Sequence, residues 1–584
     1  MKLFKKENSA GLRWIVKNSK REIPFVVLIS VFYIALALIN TLLALFSKYA
    51  IDAAQKTVES KTFTLEGKSI GEIFNEIFTN PYTQKIVLWT GVILAVITVR
   101  LIIRVVASAI GIKVQARLTM KFRTKLFYGI LNKKYEDINK IHSGELINRL
   151  TSDIGIIVDG VMNIIPDLLY YFTQFIGAFI VLVVIAPKFT ILFIIAGICI
   201  SFITLFLRGK FKGLHKEVQS TEGVVRSFFQ EAIESMLVVK TFGVEDNFKD
   251  KGDDYQEINF RAKMKRRKVS ILASAGFSFV FNAGYLAALV WATLKVAASK
   301  MSYGTLTAML QLISQIQTPF VNITKVVPDY YAIIASAERI IEIEQIENEE
   351  KNIDIIDPKS FYKDFANAKF ENIKFNYGRE SVLEEGNAEF NKGDFVAIRG
   401  ISGIGKSTLM KMLLGVFKPN EGTIKLYKTN GKSVDASPDT RSLFSYVPQG
   451  NYLFSGTLRE NIMLINPYAK DDEIQRALEI SDIADFVESL PDGLDTILGE
   501  KGTGVSEGQA QRLAIARAII SDAPIILLDE ATSALDADTE KRVLDNIKSL
   551  ETKTCIIITH KNAALQVCNK EFLIDNKKLS MKSI

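Results

Sequence analysis

The chain has 584 residues, 48% of them hydrophobic, and a formal net charge of +8. That length allows several domains, and that hydrophobic share is high for a soluble protein, with the excess crowded into the first 330 residues or so. Cys199, Cys555 and Cys568 lie far apart, which gives neither a disulfide framework nor a cysteine metal spacing.

The first residues, MKLFKKENSAGLRWIVKNSKRE, hold no short apolar core with a small-residue cleavage site, so a retained first span is expected and not a cleaved signal peptide. A membrane helix needs about 20 mostly apolar residues. Such runs occur near 23–46, 86–109, 164–186, 189–208, 271–297 and 303–326. Only Pro187-Lys188 separates the third from the fourth, which predicts a tight hairpin. Buried helices of a large soluble protein are the alternative, and six such runs in one half of a chain disfavour it.

Basic residues set orientation. Lys2, Lys5, Lys6, Arg13, Lys17, Lys20 and Arg21 precede the first span, and 113–160 carries nine lysines and arginines from Lys113 to Arg149. The segment before span five ends in Arg261, Lys263, Lys265, Arg266, Arg267 and Lys268. The loop at 47–85 balances its charges. Both termini and the long connections near 110–163 and 208–268 are therefore expected on the cytoplasmic side. The connections have helical periodicity and should continue the spans into water. This placement explains the basic charge without nucleic acid.

Polar residues inside spans need a reason. Gln311, Gln315, Thr318 and Asn322 fall on one face of span six. They fit either helix-to-helix hydrogen bonding or the wall of a translocation cavity, which Gln174, Asn282 and Tyr285 could join. Arg100 and Arg104 share a face of span two, where they fit snorkelling or attraction of an anionic cargo.

Beyond Arg339 the pattern changes. Residues 341–358 are acidic and end in proline, which predicts a linker. From about 365 strand-like runs alternate with helical ones, as in a nucleotide-binding α/β domain. The expected division is a membrane domain at 1–335, a linker at 336–364 and an α/β domain at 365–584.

Gly400-Ile-Ser402-Gly403-Ile-Gly405-Lys406-Ser407-Thr408 fits the phosphate-loop pattern, between the strand run DFVAI and the helical run LMKMLLGVF. Glycines let backbone N–H groups turn toward phosphate oxygens, and the following helix adds partial positive charge. Lys406 should reach the β- and γ-phosphates and Ser407 should bind Mg²⁺. A second strand, IILL, ends in Asp529 and Glu530. Asp529 would help hold Mg²⁺ and Glu530 would polarise an attacking water. Ser506 and Gln509 match a helix capping box, whose free N–H groups could equally meet a phosphate.

With these motifs in this order, the chain resembles an exporter-type half-transporter of the ATP-binding cassette (ABC) family over nearly its whole length. The resemblance implies an all-α six-helix membrane domain followed by an α/β P-loop domain with a helical subdomain at 450–505. Tyr377 matches the aromatic that stacks on adenine, and Gln449 the glutamine that links the Mg²⁺ and water site to the membrane half. Val505-Ser506-Glu507-Gly508-Gln509 matches the family signature, with Val505 for Leu and Glu507 for Gly. Asp536 ends the loop that crosses to the partner, and His560 matches the γ-phosphate histidine.

The resemblance implies ATP and Mg²⁺ as ligands. It also implies a second half-transporter subunit, identical or not, with ATP clamped between one phosphate loop and the other signature. Segments near 136–142 and 231–237 resemble coupling helices. The expected cargo is a small molecule, lipid or peptide, exported across a bacterial cytoplasmic membrane. Import and a nucleotide-gated channel are the rival readings, and a soluble ATPase acting on nucleic acid is the third. Neither a peptidase-like domain before the spans nor the family's C-terminal helices after FLIDNKKLSMKSI is expected from this reading.

Overall fold

The structure, a computed structural model, describes residues 8–60, 78–350, 356–378, 380–450, 453–499, 502, 504–550 and 553–583. It divides into two units, Met1–Phe127 with Leu146–Ile343, and Tyr128–Glu145 with Glu344–Ile584.

The first unit is helical. Among the described residues, Ile23–Glu59, Pro81–Leu131, Ser143–Ile185 and Glu245–Ala297 are long and apolar enough to cross a membrane. The other two predicted spans lie in the helices Pro187–Glu234 and Tyr303–Gln345. Side chains at 192–212, most of span four, lie outside the described residues, as does 61–77 of the outer loop. Pro81–Leu131 has 51 residues, so it is about 75 Å long against a hydrocarbon core of about 30 Å. The basic connections are thus the water-facing ends of these helices. Proline opens Pro187–Glu234 at its first turn, where its missing N–H costs nothing. Span one packs along Ile154–Ile185. Asn40 donates to Tyr170 Oη at 2.7 Å, and a Cβ on Gly177 would stand 3.1 Å from Thr41 Oγ1.

Residues 336–345, expected as linker, are the last turns of the helix Tyr303–Gln345. Ala337, Ile340 and Ile343 are buried at helical spacing, and Arg339 donates from Nε to Asp153 Oδ2 at 2.9 Å. Packing thus overrides the acidic composition of this stretch. Of the expected linker, 351–355 lies outside the described residues.

The second unit is built on a seven-stranded sheet. Phe444–Val447, Ile525–Asp529, Thr554–Ile558, Phe395–Arg399 and Lys570–Asp575 lie side by side and parallel, Lys578–Ser583 pairs antiparallel with the last of them, and the short Glu385–Gly386 forms the edge, parallel to Lys578–Ser583. Ile525–Asp529 is buried on both faces, as its unbroken apolar run requires. A smaller antiparallel sheet is centred on Phe365–Tyr377. The helices Leu458–Ile462, Asp471–Ile480 and Ala484–Ser489 share a core with Glu507–Ile520 and form the helical subdomain.

The hairpin Tyr128–Glu145 belongs to this second unit. Lys133 donates from Nζ to the carbonyls of Glu344 and Ile346 at 2.8 and 2.6 Å, capping the C-terminus of the last membrane helix with a cation. Tyr135 begins the short helix Tyr135–Ile138, which overlaps the expected coupling segment near 136–142, and its ring stands 6.1 Å from that of Phe417. The other segment, near 231–237, falls at the break between Pro187–Glu234 and Met236–Phe242 in the first unit.

Candidate functional site

Four adjacent parallel strands end at one edge of the large sheet, and each delivers a residue singled out from sequence. The phosphate loop follows Phe395–Arg399, Gln449 follows Phe444–Val447, Asp529 and Glu530 end Ile525–Asp529, and exposed His560 follows Thr554–Ile558. Carboxyl ends of parallel strands are where such sheets bind ligands.

The loop turns because its glycines permit it. Gly403 and Gly405 have φ of +79° and +108°, and a Cβ at Gly405 would fall 2.3 Å from Val382 Cγ1. Only glycine fits there. Ser402 is exposed at the loop surface. Lys406 Nζ donates to the carbonyls of Gly400 and Ile401 at 3.0 and 3.1 Å, which centres its ammonium in the loop. Ser407 Oγ donates to Asp529 Oδ1 at 2.9 Å. Thr408 Oγ1 is 3.2 Å from Tyr377 Oη, so the expected adenine-stacking ring is tied to the helix Lys406–Leu413.

Asp529 is buried, and burial pushes its carboxyl above the ordinary range, with neighbouring Glu530 adding to the rise. Hydrogen bonds from Tyr446 and Ser407 oppose that shift. Glu530 takes φ of +51°, an uncommon backbone state for a residue with a side chain. Its N–H donates to the Ile558 carbonyl at 3.2 Å, and its carboxylate accepts from Gln449 Nε2 at 2.7 Å. Among the described residues, no three His, Cys, Asp or Glu side chains could hold a metal together. The hydroxyl, carboxylate and amide oxygens of Ser407, Asp529 and Gln449 fit a hard cation that arrives with phosphate.

Ser506 caps Glu507–Ile520. Its Oγ accepts from Gln509 N at 3.3 Å, and its own N donates to Gln509 Oε1 at 2.8 Å. Gly508 packs against the loop 533–536, where a Cβ would lie 3.2 Å from the Ala534 carbonyl. Asp536 caps Ala537–Lys548 by accepting from Thr539 N at 2.9 Å. Among the described residues, no hydrogen bond or ion pair joins 505–509 to 400–408.

Sequence reading missed Tyr446, which donates to Asp529 Oδ2 at 2.9 Å. It also missed Gln511, which bonds Ser533 Oγ and Ala534 N at 2.9 and 3.0 Å. Both contacts depend on strand and loop register, and a single sequence carries no local signal for them.

The first unit holds a cavity of about 510 Å³ lined by Tyr33, Asn40, Arg100, Arg104, Asp167 and Tyr170 among others. The two arginines, read as snorkelling or cargo-attracting, both open onto it. The span-six stripe divides. Gln315 donates to the Asn40 carbonyl at 2.9 Å and accepts from Thr41 at 3.4 Å, which is the helix-to-helix role, whereas Gln311 is exposed. Gln174 is buried, and its Oε1 has no partner among the described residues.

Two family models match this chain, ABC transporter transmembrane region over residues 26–320 and ABC transporter over residues 383–533. The first alone spans half the chain. The chain belongs to the ABC transporters. Tyr377, Asp536 and His560 lie outside the second matched range. A probable ABC transporter ATP-binding/permease protein of Haemophilus influenzae is 27% identical over 84% of this chain and 89% of its own. An ATP-dependent lipid A-core flippase of Desulfotalea psychrophila is 29% identical over 78% of this chain and 80% of its own. The transport/processing ATP-binding protein ComA of Streptococcus pneumoniae is 30% identical, covering 83% of this chain and 65% of that protein. In fold, the chain is similar to a bacterial Atm1-family ABC exporter solved with ATP bound, with a TM-score of 0.73 at 21% identity over 97% of this chain and 95% of that one. This ABC transporter is a multi-pass membrane protein of the half-transporter form, an ATPase coupled to transport.

Proposed function

We propose that this ABC transporter works as a dimer that exports a small molecule, lipid or peptide by alternating access, driven by ATP hydrolysis at two shared sites. The carrying observation is the carboxylate of Glu530 held by Gln449 beside the Ser407–Asp529 pair. In this reading the phosphate loop and Lys406 grip the β- and γ-phosphates, and Tyr377 stacks on the adenine. Mg²⁺ would be held by Ser407, Asp529 and Gln449, and would neutralise charge on the phosphate oxygens. Glu530 accepts a proton from water as the water oxygen bonds to the γ-phosphorus. The bond from that phosphorus to the ADP oxygen breaks, and His560 stabilises the γ-phosphate.

Among the described residues, Ser506, Gly508 and Gln509 make no hydrogen bond or ion pair with the phosphate loop of their own chain, which supports a second subunit as the source of the signature for each site. Asp536 sits on the loop that would meet that subunit. The basic connections support cytoplasmic termini in a bacterial cytoplasmic membrane. Two guanidinium groups and one carboxylate in the 510 Å³ cavity favour a cargo that carries an anionic group, and the flippase and ComA similarities favour lipid or peptide over a neutral drug.

The test is Glu530→Gln in lipid. Nucleotide should bind and bring the cassettes together while turnover falls by about 100-fold or more. Hydrolysis at the wild-type rate would overturn the assignment. Flux into inverted vesicles, absent without ATP, checks the direction.

A further inference from the structure

We infer that the groove between the start of the first span and the second span is a built site for the headgroup of an anionic phospholipid. The groove is a cavity of about 440 Å³ lined by Arg21, Glu22, Phe25, Arg117, Met120 and Lys121 among others. Lys121 donates to both oxygens of Glu22 at 3.0 and 2.9 Å, so that carboxylate is already neutralised. Arg21 and Arg117 make no ion pair or hydrogen bond among the described residues. Two unengaged guanidinium forks on one groove match the oxygens of a phosphodiester. Exposed Phe25 and Met120 give the start of the acyl chains an apolar wall.

The helix Asn8–Asn18 sets the depth. It is pinned to the second span by Trp14 against Phe122, ring centroids 5.5 Å apart, and by Lys125 Nζ donating to Asn18 Oδ1 at 2.7 Å. Its exposed Leu12 and Val16 alternate with Arg13 and Lys17, the pattern of a helix lying in the membrane interface. The groove therefore sits at headgroup level, which makes a bilayer lipid the occupant and not a phosphate from solution. Its surplus positive charge favours a net anionic head over a zwitterionic one, whose ammonium would face Arg21 and Arg117. The cytoplasmic leaflet as the source rests on the orientation proposed above.

The experiment counts lipids retained by the full-length protein in native mass spectrometry, after reconstitution in mixed phosphatidylglycerol and phosphatidylcholine. Wild type should retain phosphatidylglycerol in preference. The double variant Arg21→Gln/Arg117→Gln should lose that preference by roughly 20-fold. Arg21→Lys/Arg117→Lys should fall between, keeping charge without the fork and guarding against a folding defect. Rising salt should weaken retention in wild type far more than in the glutamine variant. Equal retention in wild type and the glutamine variant would overturn the site. So would equal retention of the two lipids, or glycerophosphate in detergent competing as well as the intact lipid. The readout needs neither ATP nor cargo, so loss of the export reading leaves it interpretable. Loss of this site likewise leaves hydrolysis and export to be judged separately.

Discussion

Glu507 and Gly508 are neighbours under different constraints. Glu507 is exposed in the first turn of Glu507–Ile520, where a carboxylate suits the helix dipole yet, in the proposed dimer, would meet the phosphate of the ATP bound by the partner. Gly508 has no room for a methyl group without moving the Ala534 carbonyl or Leu535. Glu507→Gly is therefore expected to tighten nucleotide binding a few-fold, with turnover altered in step, whereas Gly508→Ala should depress ATPase activity by displacing the loop 533–536. Titration of a fluorescent nucleotide together with steady-state hydrolysis separates the two. If Glu507→Gly changes neither affinity nor turnover, the repulsion is not there. The phosphate loop was legible at this scale because the chemistry of Lys406, Ser407 and its glycines is local in sequence. Tyr446 was not, since its bond to Asp529 needs two strands in register more than 80 residues apart.

The loop 533–536 and the helix Ala537–Lys548 are held from beneath by polar groups that the motifs do not mention. Lys561 Nζ donates to the carbonyls of Thr532 and Leu535 at 2.9 and 2.6 Å. Thr532 Oγ1 donates to Glu540 Oε1 at 2.6 Å, and Oε2 of this buried carboxyl has no partner among the described residues. Burial pushes the Glu540 carboxyl above its ordinary value, against the opposing pulls of Thr532 and Lys561. Between the ordinary and the raised value the folded state holds more proton than the unfolded, so this group makes stability fall as pH rises through that window. Glu540→Gln keeps the shape and the Thr532 contact and removes the titration. Thermal unfolding of the purified chain should show a flatter pH profile and a gain of about 1 kcal/mol at neutral pH. An unchanged profile would mean that the carboxyl is not the source. Elements with a clear period were readable here, as the unbroken apolar run IILL shows for a strand buried on both faces. The end of the last membrane helix was not, because its acidic surface residues mask the buried Ala337, Ile340 and Ile343.

The chain passes between its two units after Phe127, Glu145 and Ile343, and each unit stitches its own side of these passages. In the second unit, Lys133 caps the carbonyls of Glu344 and Ile346, and Glu349 forms a two-point pair with Arg441 at 2.8 and 2.7 Å. Arg441 also donates to the carbonyls of Leu414 and Gly415, just past the phosphate-loop helix. In the first unit, Asp153 is buried and accepts from Ser336 Oγ and Arg339 Nε, both at 2.9 Å, while Arg149 donates to the Arg339 carbonyl at 2.5 Å. The resemblance to the family supplied the coupling segments, but only the fold ties 149–153 to 336–342. Asp153→Asn removes a charge that Arg339 and Ser336 surround. Because Arg339 is partly exposed, the cost should be about 2 kcal/mol, less than for stranding a fully buried cation. Arg339→Gln should cost a similar amount, and the double variant less than their sum, with a coupling of about 1 kcal/mol or more. Both stitches lie beside the points where the chain passes between its units, on the path that the proposed alternating access would use, and 400–408 and 529–530 are untouched by either variant. Asp153→Asn is therefore expected to keep basal ATPase activity while cargo flux per ATP falls, with Asp153→Glu recovering part of it. Parallel loss of hydrolysis and flux would assign the pair to folding alone, and an additive double variant would show that the two side chains do not act together.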